Sequence, residues 1–345
     1  MILKNLLNDL QRSIRMNNYQ IYWSDLAFAS KKNLRDLHAT FIATPREMSI
    51  ARFTQLIKKY LPSGNIVVGI ADEKYIKGFE NQPQFKTLTA RVIEPVIDKV
   101  NTSNSLHKIY ILHLKQPELI HVFEKIKFSH VVLVNGSWQF TFHTRPEYYA
   151  LVSNHVPFEF ESPFYDEKEA ISYSINFDNK ILLPKLGQNL NEIEMLQAAN
   201  QVAKNAFDNS FQSGVALGKK SGDKYKLIST AFNKTVPYQT FAWHYGPLRE
   251  RHMSPPGDLN YYDTIHAETN LIVHAAKNGY DMKGTTLFIN LLPCPTCARM
   301  LCESDISEIV YSFDHSNGYA VALLEKSGKV VRRLLDNNKL IESEG

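Results

Sequence analysis

Cysteine is scarce in this chain: three in 345 residues, all between Cys294 and Cys302. An odd, clustered set cannot build a disulfide framework, and such sparing use predicts a reducing, cytoplasmic setting. Long apolar runs are missing too. No stretch approaches the roughly 20 apolar residues of a helical membrane span, so no membrane partner is expected. The first residues, Met1 to Leu10, alternate charged and apolar side chains where a secretory leader would have a long apolar core. Charge of one sign is also in short supply. Lys plus Arg number 39 against 35 Asp plus Glu, a formal net charge of +4. That permits a phosphate-bearing ligand and falls short of the dense basic footprint of a dedicated nucleic-acid binder. There is no internal repeat and no low-complexity tract. The first half contains neither a G-x-G-x-x-G nor a cluster of metal-ligating residues. Gly214-Val-Ala-Leu-Gly-Lys-Lys-Ser221 is one residue short of phosphate-loop glycine spacing and lacks the strand–loop–helix context, which excludes that motif.

What is present is ordinary globular material, 44% hydrophobic and 21% charged, at a length that suggests two domains. Thr40–Thr44, Asn65–Ala71, Lys108–Leu114 and His130–Val134 read as short buried strands. Helix-length segments lie between them: one ending near Tyr60, then Phe85 to Val100 and Gln116 to Ile126. Continuous apolar strands alternating with helices predict an α/β domain with a mainly parallel, Rossmann-like sheet covered on both faces. Such a sheet would take a ligand at its strand C-termini, for instance after Ala71-Asp72 or Val134-Asn135-Gly136. A boundary is expected where Pro184 and Gly187 interrupt the pattern, giving domains 1–186 and 187–345. The role of the first is not legible.

Beyond the boundary, Asn189 to Phe207 has helical periodicity, and strands are expected at Ser213–Gly218 and Tyr225–Phe232. Asp263 to Gly279 reads as a helix capped at Asp263 or Thr264 and stopped by Gly279. It carries His266 and Glu268 near its start. A buried strand, Gly284–Leu292, then runs into Pro293-Cys-Pro-Thr-Cys-Ala-Arg-Met-Leu301 and a second helix. One histidine and two cysteines three apart, all at helix N-termini, can converge on a tetrahedral ion. The N-terminal field favours the thiolates that zinc requires. Three protein ligands leave a fourth position open, as in catalytic rather than structural zinc, and a water there would ionise near neutral pH. A zinc ribbon would need a second Cys-x-x-Cys, and the chain has none. The expectation is one catalytic Zn2+ held by His266, Cys294 and Cys297.

His266-Ala-Glu-Thr-Asn-Leu-Ile272 with Pro293-Cys-Pro-Thr-Cys-Ala-Arg-Met300 resembles the cytidine and deoxycytidylate deaminase superfamily, nearest its deoxycytidylate branch. The resemblance covers roughly Asn189 to Leu335. It implies a cytidine-deaminase-like α/β/α domain ordered helix, two strands, zinc helix, strand, zinc helix, strand, helix, strand. It further implies hydrolysis of a cytosine nucleotide or nucleoside to the uracil form. Glu268 would move protons from water to the pyrimidine ring nitrogen and then to the departing ammonia. Asn233 resembles the family asparagine that contacts the substrate sugar, and a turn-making asparagine is the competing reading. The Leu292 carbonyl or the peptide near Ala267 would read the amine edge of the base, and His315 lies where family members shape the pocket. The family commonly assembles through its zinc-site helices, so a homo-oligomer is implied.

The chain departs from the family where regulated members carry Gly-Tyr-Asn-Gly and this sequence has Ala231-Phe-Asn-Lys234. Triphosphate regulation is therefore in doubt. The segment Thr240 to His252 is either a lid bringing Arg249, Arg251, His244 or His252 to a substrate phosphate or a solvated loop with aromatic packing. Two rival functions stand beside the nucleotide deaminase. One is editing of a base in RNA or DNA, for which only fragments of a basic, aromatic groove are visible. The other is a non-catalytic nucleotide sensor, which would not need Glu268.

Overall fold

Asn65-Ile-Val-Val-Gly-Ile-Ala71 has no polar residue after its first position, so it must be covered on both faces. It becomes the middle of a six-stranded sheet. The structure is a computed structural model describing residues 19–28, 35–44, 46–137, 141–178, 183–255, 258, 260–314 and 317–335. It falls into two units: residues up to Tyr173 with Thr240–Tyr262, and Ser174–Gln239 with the residues from Asp263 onward. No helix of the described residues is long and apolar enough to cross a membrane.

The first unit holds β1 (Gln20–Tyr22), β2 (Arg35–Ala43), β3 (Asn65–Ala71), β4 (Ile109–Leu114), β5 (Ile126–Val134) and β6 (Phe158–Glu161). They pair in the order β1-β4-β3-β2-β5-β6, and every pairing is parallel. Successive side chains enter opposite cores, as the strand period demands. Phe41, Val67, Leu112 and Val131 pack with Leu119, Val122 and Phe123 on one face. Ile42, Val68, Ile111 and Val132 pack with Phe53, Leu56, Ile57, Ile93 and Ile97 on the other. The expected doubly covered parallel sheet is borne out.

From β2 the strands step outward through β3 to β4 on one side, and through β5 to β6 on the other. The C-termini of β2 and β5 therefore form the switch point at which open parallel sheets usually take ligands. Here the chain's own side chains occupy it. Arg46, just past β2, is buried; its guanidinium donates to the Gly136 carbonyl past β5 at 3.2 Å and to the Gln84 carbonyl at 2.9 Å. The same group lies 3.4 Å over the indole of Trp243, a fully buried residue in the helix Phe241–Tyr245. Gly136 has φ +71°, and a Cβ there would stand 2.6 Å from the Trp243 ring. Only glycine lets the backbone approach the indole so closely.

Other described residues of the 240–262 segment are held by polar and ring contacts. His143 is bracketed by the Glu250 carboxylate at 3.1 Å and the Ser254 carbonyl at 2.9 Å, and Ser162 Oγ meets His244 Nδ1 at 2.7 Å. Arg249 donates to the Asp258 carbonyl, Arg251 to that of Tyr245, and His252 stacks on Tyr261. Thr240, Ala242, Trp243, Arg249 and Ser254 are buried, so this part of the chain is packed and not the solvated loop the sequence offered.

The second unit contains β7 (Asn189–Leu190), β8 (Gly214–Ser221), β9 (Lys224–Phe232), β10 (Lys234–Thr235), β11 (Thr264–Ile265), β12 (Thr286–Leu291), β13 (Glu308–Phe313) and β14 (Val330–Arg333). Its six-stranded sheet runs β14-β13-β12-β8-β9-β7, parallel from β12 to β14 and antiparallel elsewhere. The helix Glu192–Ala203, started by a capping box between Asn191 and Glu194, covers one face through Met195 and Ala199. Ala267–Asn278, Pro295–Cys302 and Tyr319–Lys326 cover the other through Leu271, Leu301 and Leu324. This α/β/α order is the one the family resemblance implies. The Gly214–Ser221 stretch is strand β8, as exclusion of a phosphate loop requires.

Gly136→Ala is expected to destabilise the protein by about 2–4 kcal/mol, combining left-handed strain with overpacking against Trp243. Gly78→Ala has a comparable φ of +88° with nothing within 4 Å of the added Cβ, and should cost only about 1 kcal/mol. Urea unfolding of both variants measures the difference; equal losses would contradict the close indole packing.

Candidate metal and catalytic site

Two local features bring the candidate ligands together. The Lys234–Thr235 and Thr264–Ile265 pairing draws the chain into extended geometry just before His266. The helix expected to start from a cap at Asp263 or Thr264 therefore begins at Ala267, with His266 as its N-cap at φ −64° and ψ 153°. Ladder pairing wins over helix extension because Thr264 and Ile265 find strand partners. Cys294 caps the helix Pro295–Cys302 in the same conformation, φ −63° and ψ 163°, and its sulfur accepts the Cys297 backbone N–H at 3.4 Å. Pro295 fits the first helical position because it has no N–H to lose there.

His266 Nδ1 lies 3.5 Å from Cys294 Sγ and 3.4 Å from Cys297 Sγ, and all three donor atoms fall within 4.8 Å of one another. A tetrahedral zinc with bonds of about 2.3 Å to sulfur and 2.0 Å to nitrogen sets nitrogen–sulfur edges of about 3.5 Å. The chemistry and spacing of the donors fit that ion. Shared hydrogen bonding separates the thiols: the Cys297 thiol beside it and His266 draw Cys294 well below the ordinary thiol value, and the same pairing drives Cys297 upward. His266 is raised, first by its contact with Cys294 and then by Glu268 nearby.

Glu268 is buried in the first turn of its helix, and desolvation pushes its carboxyl above the usual range. Burial of this kind disfavours the ionised form of a carboxyl, so the shift is upward. Ala267 is fully buried at the same helix start. Asn233 is buried at the end of β9, its Oδ1 accepting the Ser213 N–H at 2.9 Å and its Nδ2 donating to the Phe211 carbonyl at 2.6 Å. His315 lies outside the described residues. His274 is exposed and near Ser229, and Cys302 is half-buried against the Leu323 carbonyl, both apart from the triad.

Residues not singled out from sequence also shape the site. Asn270 donates to the Phe232 carbonyl at 3.0 Å, fastening the His266 helix to the end of β9. Asn290 accepts the Gly214 N–H and donates to the Gln212 carbonyl, holding the loop before β8 to the end of β12. The buried Asp208 binds that loop from within. Asp208-Asn-Ser210 has the composition of an Asx turn, the one sequence signal that pointed there.

Residues 190–313 match the family described as the cytidine and deoxycytidylate deaminase zinc-binding region, so the C-terminal half resembles that superfamily. Deoxycytidylate deaminase of Enterobacteria phage T4 is 39% identical over 64 residues, 19% of this chain and 33% of its own length. The human deoxycytidylate deaminase is 31% identical over 83 residues, 23% of this chain and 46% of its own length. The chain thus spans a third to a half of these relatives. The structure of dCMP deaminase from cyanophage S-TIM5 with dCMP and dUMP aligns at TM-score 0.32 and 17% identity, over 41% of this chain and 96% of that one.

Metal analysis of the purified chain should return about one zinc per protein, and Cys297→Ala should lose most of it. Chelation should lower the melting temperature of the parent and leave that of Cys297→Ala nearly unchanged.

Proposed function

We propose that the chain catalyses zinc-dependent hydrolytic deamination of a cytosine nucleotide or nucleoside, most closely of the deoxycytidylate kind. The observation that carries this reading is the buried Glu268 beside the convergent His266, Cys294 and Cys297 at two helix starts. Similarity to deoxycytidylate deaminases over the same residues supports the choice of base and nucleotide. On this reading residues 187–345, apart from the Thr240–Tyr262 segment that packs in the first unit, form the deaminase domain, and 1–186 belong to an α/β domain of separate role.

Zinc held by the three ligands would supply Lewis-acid activation of a water. The chain's own groups then manage the protons. Ionised Glu268 accepts one from the attacking water and delivers it to the pyrimidine ring nitrogen next to the amine-bearing carbon. A second proton passes through the same carboxyl to the amine, which leaves as ammonia while the carbon retains the water oxygen as a carbonyl. Burial serves this double role, since a raised carboxyl both accepts and returns a proton readily. Asn233, the peptide at Ala267 and His315 are the candidate substrate contacts, Asn233 toward the sugar.

Ammonia release from deoxycytidylate, cytidylate and their nucleosides tests the proposal. Glu268→Gln should retain zinc and lose about 10²–10⁴-fold in kcat, the range for a general acid–base. A zinc-loaded parent that turns over none of these compounds would overturn it.

A further inference from the structure

Asp208 is the buried acid for which the deamination chemistry has no use. It is 5% exposed, and no salt bridge joins it to a lysine or arginine among the described residues. Its Oδ1 accepts the backbone N–H groups of Ser210 at 2.6 Å and Phe211 at 3.2 Å. Its Oδ2 accepts Asn233 Nδ2 at 3.1 Å and the Thr264 hydroxyl at 3.5 Å. A carboxylate held in this way is acceptor-only, so every neighbour must turn a donor toward it.

That requirement fixes Asn233. A side-chain amide has two donors on nitrogen and two lone pairs on oxygen, and reverses its polarity by a half-turn. Here one Nδ2 hydrogen goes to Asp208 and the other to the Phe211 carbonyl, while Oδ1 takes the Ser213 N–H. The half-turned amide would lose all of these contacts. Both donors are consumed, and what Asn233 has left is a lone pair on Oδ1.

The place of this cluster gives it a role. Lys234 pairs with Ile265 and Thr235 with Thr264. Asn233 directly precedes Lys234 and His266 directly follows Ile265, so the two flank the same end of that ladder. Asp208 reaches both strands of the ladder, at Asn233 where one begins and at Thr264 in the other.

Resting on the deaminase reading above, we propose that Asp208 is a positioning residue for substrate binding. It locks the loop 208–213 and fixes the polarity of the Asn233 amide, so that Asn233 meets substrate as a hydrogen-bond acceptor. A hydroxyl that donates is then the group it recognises. A phosphate oxygen or a carbonyl is rejected there for want of a donor.

The test is a swap cycle in the zinc-loaded full chain: Asp208→Asn, Asn233→Asp and both together. Asp208→Asn sets amide N–H against amide N–H, and Asn233→Asp sets carboxylate against carboxylate. The double variant restores one donor facing one acceptor. Each single change should speed backbone hydrogen exchange across 208–213 by about tenfold or more and raise KM by a similar factor, the loss of roughly one buried hydrogen bond. The kcat should shift less than about threefold, because Glu268 and the metal ligands are untouched. The double variant should recover much of both losses. Unchanged exchange and KM in the single variants, or a double variant no better than the two losses added, would overturn the proposal. If Asp208→Asn does not fold, Asn233→Ala decides by the same readouts, since Ser213 then loses its acceptor while Asp208 keeps its backbone contacts. A parent with no turnover on any cytosine compound defeats the deaminase reading alone, because hydrogen exchange still reports whether Asp208 holds Asn233 and the loop.

Discussion

A helix that begins leaves its first backbone N–H groups without intrahelical acceptors, and in the second unit two such beginnings face the same small set of side chains. His266 and Cys294 both stand at N-cap positions in extended conformation, so both project from a rigid turn instead of a loose loop. The positive end of each helix favours anionic sulfur and carboxylate. That preference lowers the cost of gathering two thiols, an imidazole and a carboxyl in a buried place. The sheet beneath fixes where the helices begin, through β12 running into Cys294 and the β10–β11 ladder running into His266. The meeting of His266, Cys294 and Cys297 thus depends on backbone geometry decided several residues upstream.

Around that cluster the strand ends and loops are tied together by asparagine and aspartate. Asn270, Asn290, Asn233 and Asp208 each tie a strand end or loop to another through backbone groups. Such bonds specify a unique arrangement because each buried donor or acceptor left unpaired costs more than a made bond gains. The hydrophobic cores set the layers, and these polar pins set the register between them.

How much of this was legible follows from the distance over which each signal acts. The buried strands could be read because a continuous apolar run is a local property, and the grouping of His266 with Cys294 and Cys297 because each lies at a helix start that the local sequence marks. Strand β6 was not read. Its Phe-Glu-Phe-Glu pattern puts two acids at a sheet edge, and their partners Arg52, Lys59 and Tyr60 lie about a hundred residues earlier. Nor was the strand pairing that moves the helix start from Asp263 to Ala267, because two-residue strands carry no periodicity. Asp208 draws its ligands from a loop and two strands, which no single window of sequence displays.

Arg46, Gly136 and Trp243 give the chain an unusual ancestry constraint. The backbone leaves the first unit at Tyr173, returns to it for Thr240–Tyr262, and leaves again before His266. The indole that fills the crevice of the parallel sheet is therefore encoded inside the half that carries His266, Cys294 and Cys297. A recombination event that cut the gene at the apparent boundary near Gly187 would give one product a sheet with its central filler missing. It would give the other a tryptophan with nothing to stack on. The order of the chain and the membership of the two units therefore do not coincide.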